Sequence, residues 1–312
     1  MSNQSVLILL ATHNGESYIR PMIDSVLAQD HADLRIIVSD DNSTDGTPAI
    51  LTEYANTHPD KIAHYRSDKR FGSAQKHFMH LLEQFHDQPY IMFCDQDDVW
   101  HPDKVSKTLA LMKTIETDSA TPSMVHTDLR VVDGDLQQIA PSFCAHSAID
   151  GHRLALNQLL VQNVVTGCTM MINRRLAKMV CKHYDPEAMM MHDWWIALLA
   201  CACGKVAFLD EATIDYRQHG KNSVGAKNVY SPAYLLKRLQ SDRMRKALAD
   251  AAGQAEAFVK CYREWLTIEQ QELVVAFAKT RNASLFVRNR IYSQYNLKKY
   301  GLIRVVTQYL GW

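Results

Sequence analysis

The chain has 312 residues, of which 47% are apolar and 22% charged, with 34 basic and 34 acidic side chains. These proportions fit a folded globular protein and exclude a disordered, collagen-like or low-complexity chain. The charge is unevenly spread: residues 1–230 carry 20 Lys and Arg against 28 Asp and Glu, and residues 231–312 carry 14 against 6.

The apolar run at 5–11 reads as a buried strand, followed by a helical pattern at 18–29. The pairing recurs as strand 34–39 with helix 45–58, strand 62–66 with helix 72–85, and strand 89–94 with helix 102–115. Alternation at this period predicts a mostly parallel sheet flanked by helices, joined by right-handed crossovers. A strand at 123–132, a helix at 152–162, a strand at 167–173, a helix at 192–203 and short strands at 206–209 and 213–217 continue it. A stretch rich in Gly, Asn and Ser at 219–227 closes this part. Beyond Ser231-Pro232 the apolar spacing predicts three amphipathic helices, at 234–252, 255–279 and 283–300. The chain thus divides into an α/β domain at 1–228 and a basic helical region at 229–312.

No apolar run reaches the roughly 18 residues that a membrane-spanning helix needs, and the first residues lack the pattern of a secretion signal. The sequence predicts a cytoplasmic protein. Its 7 cysteines are scattered without CxxC spacing and read as reduced, mostly buried thiols. Cys201-Ala-Cys203 reads as helix packing ahead of metal binding.

Ligands of a parallel α/β sheet bind outside the carboxyl ends of its strands, and the polar clusters fall there. Thr12-His13-Asn14-Gly15-Glu16 follows the first strand, and Asp40-Asp41-Asn42-Ser43-Thr44-Asp45-Gly46 the second. Taken alone, both read as turns and helix caps at least as readily as ligand loops. Asp95-Gln96-Asp97-Asp98-Val99-Trp100 follows the fourth strand. Three carboxylates within four residues repel one another unless a cation compensates. A hard divalent ion with oxygen ligands, Mg²⁺ or Mn²⁺, bridging to substrate phosphates is the economical answer. A further acid, Asp193, opens a predicted helix, whose N-terminus favours the ionised form. Trp194, Trp195 and Trp100 offer flat rings for stacking on sugar faces, with core packing the alternative for at least one of them.

These segments, with Pro102-Asp103-Lys104 and His192-Asp193-Trp194-Trp195, occur in the order seen in the family 2 glycosyltransferases, which the chain resembles over residues 5 to about 225. The likeness is strongest to bacterial rhamnosyltransferase-type members. It implies a GT-A fold and inversion at the anomeric centre. By this resemblance Thr12, Asn14 and Glu16 line the nucleotide pocket, and Asp41 hydrogen-bonds the pyrimidine base. Asp95-Gln96-Asp97 matches the Asp-x-Asp motif, with Asp97 the leading metal ligand, and Asp193 matches the general base. Lys76 stands in the donor-binding segment, where it meets a phosphate or is a solvated helix-face lysine. His219 stands where some members supply a late histidine to the metal or diphosphate, a surface loop histidine being the alternative. His192 replaces the first acid of the family's common Glu-Asp pair. The Gln-x-x-Arg-Trp motif of processive members is missing.

The rhamnosyltransferase likeness implies dTDP-L-rhamnose as donor, with a UDP-hexose as alternative, and a glycan or lipid-linked saccharide as acceptor. A sugar nucleotidyltransferase would want a Gly-rich basic loop after the first strand, which Thr12–Glu16 does not provide. An inactive homologue serving as an assembly partner is disfavoured by the presence together of Asp41, Asp97 and Asp193. From residue 279 to 312 there are 7 basic residues and no acidic one, interspersed with Phe286, Tyr292, Tyr295, Tyr300, Tyr309 and Trp312. This tail fits docking on an anionic membrane surface, or a helical cap whose charges are solvated or face a second copy in a homodimer. No nucleic-acid-binding motif accompanies it.

Overall fold

The computed structural model describes residues 4–219 and 242–310. The boundary expected between 228 and 229, and almost all of the stretch at 219–227, lie outside the described residues.

The first half folds as its periodicity predicts. Strands β1 (Val6–Thr12), β2 (Leu34–Asp40), β3 (Ile62–Tyr65) and β4 (Tyr90–Cys94) alternate with helices α1 (Ile19–Leu27), α2 (Thr47–Thr57), α3 (Ala74–Phe85) and α4 (Lys104–Ile115). β1 is buried along its whole length because parallel neighbours cover both its edges and helices both its faces. α1 turns Ile19, Met22, Ile23 and Val26 onto the sheet at helical spacing. The second half adds β5 (Val99–Trp100), β6 (Ser123–Val132), β7 (Gln138–Ala140), short helices α5 (Phe143–His146) and α6 (Leu156–Val161), β8 (Met171–Asn173), α7 (Arg174–Lys182), α8 (His192–Cys203) and β9 (Lys205–Arg217). Strand order is β3-β2-β1-β4-β8-β6-β9-β5, with β7 beside β6.

Several expectations are corrected. The strand expected at 167–173 is a 3₁₀ turn at 167–169 followed by three-residue β8, which pairs antiparallel with both β4 and β6. The sheet is therefore two parallel blocks, β3-β2-β1-β4 and β6-β9, joined by one reversed strand. The two short strands at 206–209 and 213–217 are one strand, β9, whose pairing with β6 shifts register between Thr127 and Arg130. Helix α7 was not anticipated, although Asn173 caps it by accepting from Leu176 N and its buried Leu176, Ala177, Met179 and Val180 carry helical spacing.

In the C-terminal region α9 (Asp242–Tyr262) runs straight through Gly253, where a break was expected. The break comes instead at the 3₁₀ turn 263–265, and α10 (Ile268–Lys279) starts behind a Thr267/Gln270 capping box. The helix expected at 283–300 stops early as α11 (Leu285–Gln294), and α12 (Leu302–Leu310) lies beyond it and was not anticipated. These helices share one hydrophobic cluster with the sheet. Trp195 of α8, fully buried, packs edge-on against Phe258 and donates its indole N–H to Tyr262 Oη at 3.0 Å. Truncating such a ring to alanine costs about 3–5 kcal/mol. Trp195 is thus a core residue and not the acceptor-side platform expected of it. Among the described residues no helix is long and apolar enough to cross a membrane. The cysteines there are free, and Cys201 and Cys203 direct their thiols to the Leu154 and Trp265 carbonyls within the helix packing.

His126 of β6 is buried and directs Nε2 to Gly151 O at 3.2 Å, and burial pushes its pKa down to about 3. An unfolded histidine titrates near 6.5, so below that pH the unfolded chain takes up a proton that the folded one refuses. Stability contributed by this site falls as pH drops from about 6.5 towards about 3. Between pH 7 and 5 the wild type is predicted to lose about 1–2 kcal/mol more than His126→Gln, measured by urea denaturation.

Candidate active site

The carboxyl ends of β1, β2 and β4 meet at one edge, and their loops are tied to each other before any ligand is considered. Thr12 Oγ1 donates to Ser39 O at 3.2 Å and Asp40 Oδ1 at 3.0 Å. Asn14, at φ 50°, accepts from Thr44 N at 2.9 Å, while its own N–H donates to Ser43 Oγ at 2.7 Å. Glu16 Oε2 accepts from Gly46 N at 2.9 Å. Gln96 grips His13 from the β4 side, accepting its N–H at 2.8 Å and donating to its carbonyl at 3.0 Å. A Cβ on Gly15 would lie 2.4 Å from Gln96 Oε1, so only glycine admits this grip. Thr12, Asn14 and Glu16 therefore stand at the expected edge, with their polar atoms largely engaged in holding the loops.

Asp41 is buried, and its two oxygens accept from Phe71 N at 2.5 Å and Gly72 N at 2.7 Å. It anchors the 66–73 loop above the same edge, a role that its expected contact with a base did not include. Lys76, on the first turn of α3, pairs with Glu187 at 3.1 Å on the exposed surface. Asn cannot accept through its amide nitrogen, so Asp41→Asn loses one of the two loop bonds and turns an amide N–H at the buried Asp41 position towards a backbone N–H. A stability loss of about 1–3 kcal/mol is predicted, measured by denaturant unfolding.

The acidic segment after β4 lies between these loops and β9. Asp97 Oδ2 is 2.7 Å from His219 Nε2, and His219 stacks on Tyr18 with ring centroids 4.7 Å apart. Arg217, the last residue of β9, holds the segment from below, donating Nε–H to Asp97 O at 2.9 Å and its backbone N–H to Asp98 Oδ1 at 3.2 Å. The Asp98 side chain is buried beside the Cys168 thiol, and its second oxygen meets no hydrogen-bond geometry among the described residues. Asp95, Asp98 and Cys168 bring one ligand atom each within 4.8 Å of one another. Burial, then Asp97 and Asp193, push Asp95 up to about 7. Burial, then Asp97 and Asp95, push Asp98 well above the ordinary carboxylate range. The crowding thus has the electrostatic signature of a set of oxygen donors suited to a divalent cation.

Asp193 enters from the first turn of α8. Its Oδ1 accepts from Trp194 N at 2.5 Å and from Asn163 Nδ2 at 3.1 Å, and the Gly167 N–H also faces the carboxylate. The helix N-terminus was expected to keep it ionised, but burial wins and raises its pKa to about 7. It lies near enough to Asp95 for each charge to resist the other. His192 beside it is buried between Phe78 and Phe93, with neither ring nitrogen hydrogen-bonded, and burial lowers its pKa to about 3. It is therefore neutral next to Asp193, where a glutamate would add a second negative charge.

Of the three tryptophans only Trp194 is partly open, with its indole N–H donating to Leu159 O at 2.7 Å. Trp100 is 2% exposed, so its expected stacking on an acceptor sugar is corrected. It packs under Lys104, whose Nζ lies 4.8 Å from the ring centroid. Lys104 is itself fully buried beneath the acidic segment, with burial lowering its pKa to about 8. Lys104, Asp98, Asn163, Gln96 and Arg217 were not assigned a place in the site by sequence reasoning. Asp98 was visible as the third acid of its run, whereas Asn163 stands in a loop with no motif around it.

The chain is 27% identical over 233 residues to the dTDP-rhamnosyl transferase RfbG of Shigella flexneri, covering 72% of this chain and 76% of that one. Among solved structures, S. aureus TarS 1-349 in complex with UDP-GlcNAc superposes with a TM-score of 0.59 at 14% identity, covering 93% of this chain and 80% of that one. The mannosyltransferase PcManGT from Pyrobaculum calidifontis, in complex with GDP-Man and Mn²⁺, gives 0.53 at 14% identity, covering 98% and 86%. The fold is that of the GT-A glycosyltransferases. The profile described as Glycosyl transferase family 2 matches residues 7–180, and the chain belongs to that family.

Proposed function

We propose that this glycosyltransferase is inverting, and that it moves L-rhamnose from dTDP-L-rhamnose to a hydroxyl of a glycan or lipid-linked saccharide in cell-surface polysaccharide synthesis. The observation that carries the reading is the convergence of Asp95, the Asp97–His219 pair and Asp193 at one sheet edge. The similarity to a dTDP-rhamnosyl transferase over 72% of the chain supports the donor.

Asp97 and His219, with Asp95 two residues earlier on the same acidic segment, are the residues to hold Mn²⁺ or Mg²⁺. Bound there, a divalent ion supplies charge neutralisation for the donor diphosphate and the departing nucleotide. The protein's own groups do the rest. The loops tied by Gln96, Asn14 and Asp41 present the nucleotide-binding edge without reorganisation on binding. Asp193 accepts the proton of the acceptor hydroxyl as its oxygen bonds to the anomeric carbon and the bond to the diphosphate breaks. Asn163 and the Trp194 N–H fix the orientation of that carboxylate. Of Trp100, Trp194 and Trp195, Trp194 is the one left to face an acceptor, and the basic C-terminal helices are the part suited to an anionic membrane.

Asp193→Asn is predicted to abolish sugar transfer while leaving the donor dissociation constant within about twofold. Loss of donor binding in that variant would remove Asp193 from the role of base. Donor identity follows from thermal stabilisation by a panel of nucleotide sugars with Mn²⁺, with Mg²⁺ and with chelator. dTDP-L-rhamnose is predicted to stabilise by about 2.7 kcal/mol at a hundredfold excess over its dissociation constant, with little effect in chelator. Stabilisation by UDP-hexoses alone would replace the donor, and none by any donor would favour an inactive assembly partner.

A further inference from the structure

A cavity of about 360 Å³ opens between α9, the 3₁₀ turn at 280–282 and α11, remote in sequence from the acidic edge. Arg245, Arg281 and Arg288 line it together with Thr280, Leu285 and Tyr292, and among the described residues no acid is in its walls. Arg281 lies close against α9: a Cβ on Gly253 would be 3.3 Å from its Cζ, so glycine in mid-helix makes room for the guanidinium. Glu256, an acid near Arg281, is engaged by Lys260 at 2.7 Å.

Two buried groups at this cavity are left without partners. Among the described residues Arg288 Nε makes no hydrogen bond, and neither does the hydroxyl of Tyr292, a fully buried residue. That hydroxyl lies near Thr280 and Arg288 without bonding geometry, while Thr280 Oγ1 donates to Phe277 O at 2.7 Å. Unpaired buried donors are costly. A wall made of guanidinium and hydroxyl donors, with no acid, is complementary to the oxygens of a phosphate.

The rim says which phosphate. α11 begins beside the cavity with Leu285, Phe286 and Val287 exposed, Phe286 at 79%. Outside the cavity lining, α12 exposes Leu302, Ile303, Val306 and Leu310, a stripe at helical spacing, with Leu302 at 80%. A site for a soluble anion has no use for bare apolar side chains around it, whereas a lipid headgroup comes with an acyl boundary. We propose that this cavity seats the phosphate of an anionic phospholipid, with Leu285 and Phe286 entering the acyl boundary as the C-terminal helices dock on a bilayer. The inference rests on the membrane reading given above for those helices and adds to it a discrete headgroup site.

The test is co-sedimentation of the full chain with phosphatidylcholine vesicles, with and without phosphatidylglycerol, at physiological salt. Arg281→Gln with Arg288→Gln is predicted to weaken binding to the phosphatidylglycerol vesicles by about tenfold or more. Arg290→Gln with Lys298→Gln, which removes equal charge outside the cavity, is predicted to weaken it by less than about threefold. Phe286→Ser, at an exposed position that folding does not need, is predicted to weaken it as well, and keeps the test open if the arginine variant does not fold. Equal losses in the two charge variants would overturn the cavity and leave general membrane attraction standing. No binding by the wild type to either vesicle would overturn both. Inorganic phosphate binding that depends on Arg281 and Arg288, with vesicle binding unchanged, would overturn the lipid assignment in favour of a soluble anion.

Discussion

Four carboxylates crowd one edge of this sheet, and much of the surrounding structure answers their repulsion and burial. Asp95, Asp97 and Asp98 leave a strand that is buried throughout, so the chain delivers them with little water between them. Asp193 is brought to the same place by α8. Burial and neighbouring acids raise Asp95 to about 7 and Asp98 well above the ordinary carboxylate range. Around this charge stand Lys104 beneath, Arg217 at the end of β9 and His219 on Asp97. A fold that had only to be stable would gain by replacing such a cluster with apolar residues. On the proposed reading, the cluster answers a ligand that brings positive charge.

The second constraint is rigidity of the rim. The residues of the first two loops spend their hydrogen bonds on one another, and the middle residue of the Asp-x-Asp segment, Gln96, clips the β4 loop to the β1 loop. Asp41 extends the same network to the 66–73 loop through two backbone N–H groups. Carboxylates that must approach a diphosphate at fixed distances are held by loops that are themselves held. The reversed strand β8 belongs to this logic. It joins the two parallel blocks and leads out of the 3₁₀ turn whose Gly167 N–H faces Asp193.

How much of this is legible in the sequence depends on the range of the interaction. Strands such as β1 and β4 declare themselves because they are apolar throughout, and the acidic run after β4 stands out because like charges need compensation. The meeting of Asp97 with His219 was indicated by motif order. Trp100 and Trp195 were misjudged because an aromatic beside a polar motif looks the same whether it faces a sugar or the core. Only the packing of Lys104 on one and of Phe258 and Tyr262 on the other separates the two cases. The room that Gly253 leaves in α9 is taken by a guanidinium 28 residues further along the chain, which no local propensity reports. Asn163 reaches Asp193 from 30 residues away and is invisible for the same reason.

The central claim is that the acidic edge holds a divalent ion coupled to the donor nucleotide. Its most direct test is Mn²⁺ binding followed by electron paramagnetic resonance, with and without dTDP, for the wild type and Asp97→Asn. The wild type is predicted to bind one Mn²⁺, more tightly when dTDP is present, and Asp97→Asn to lose both the ion and that coupling while remaining folded. Equal Mn²⁺ affinity in the two proteins, unaffected by nucleotide, would contradict it.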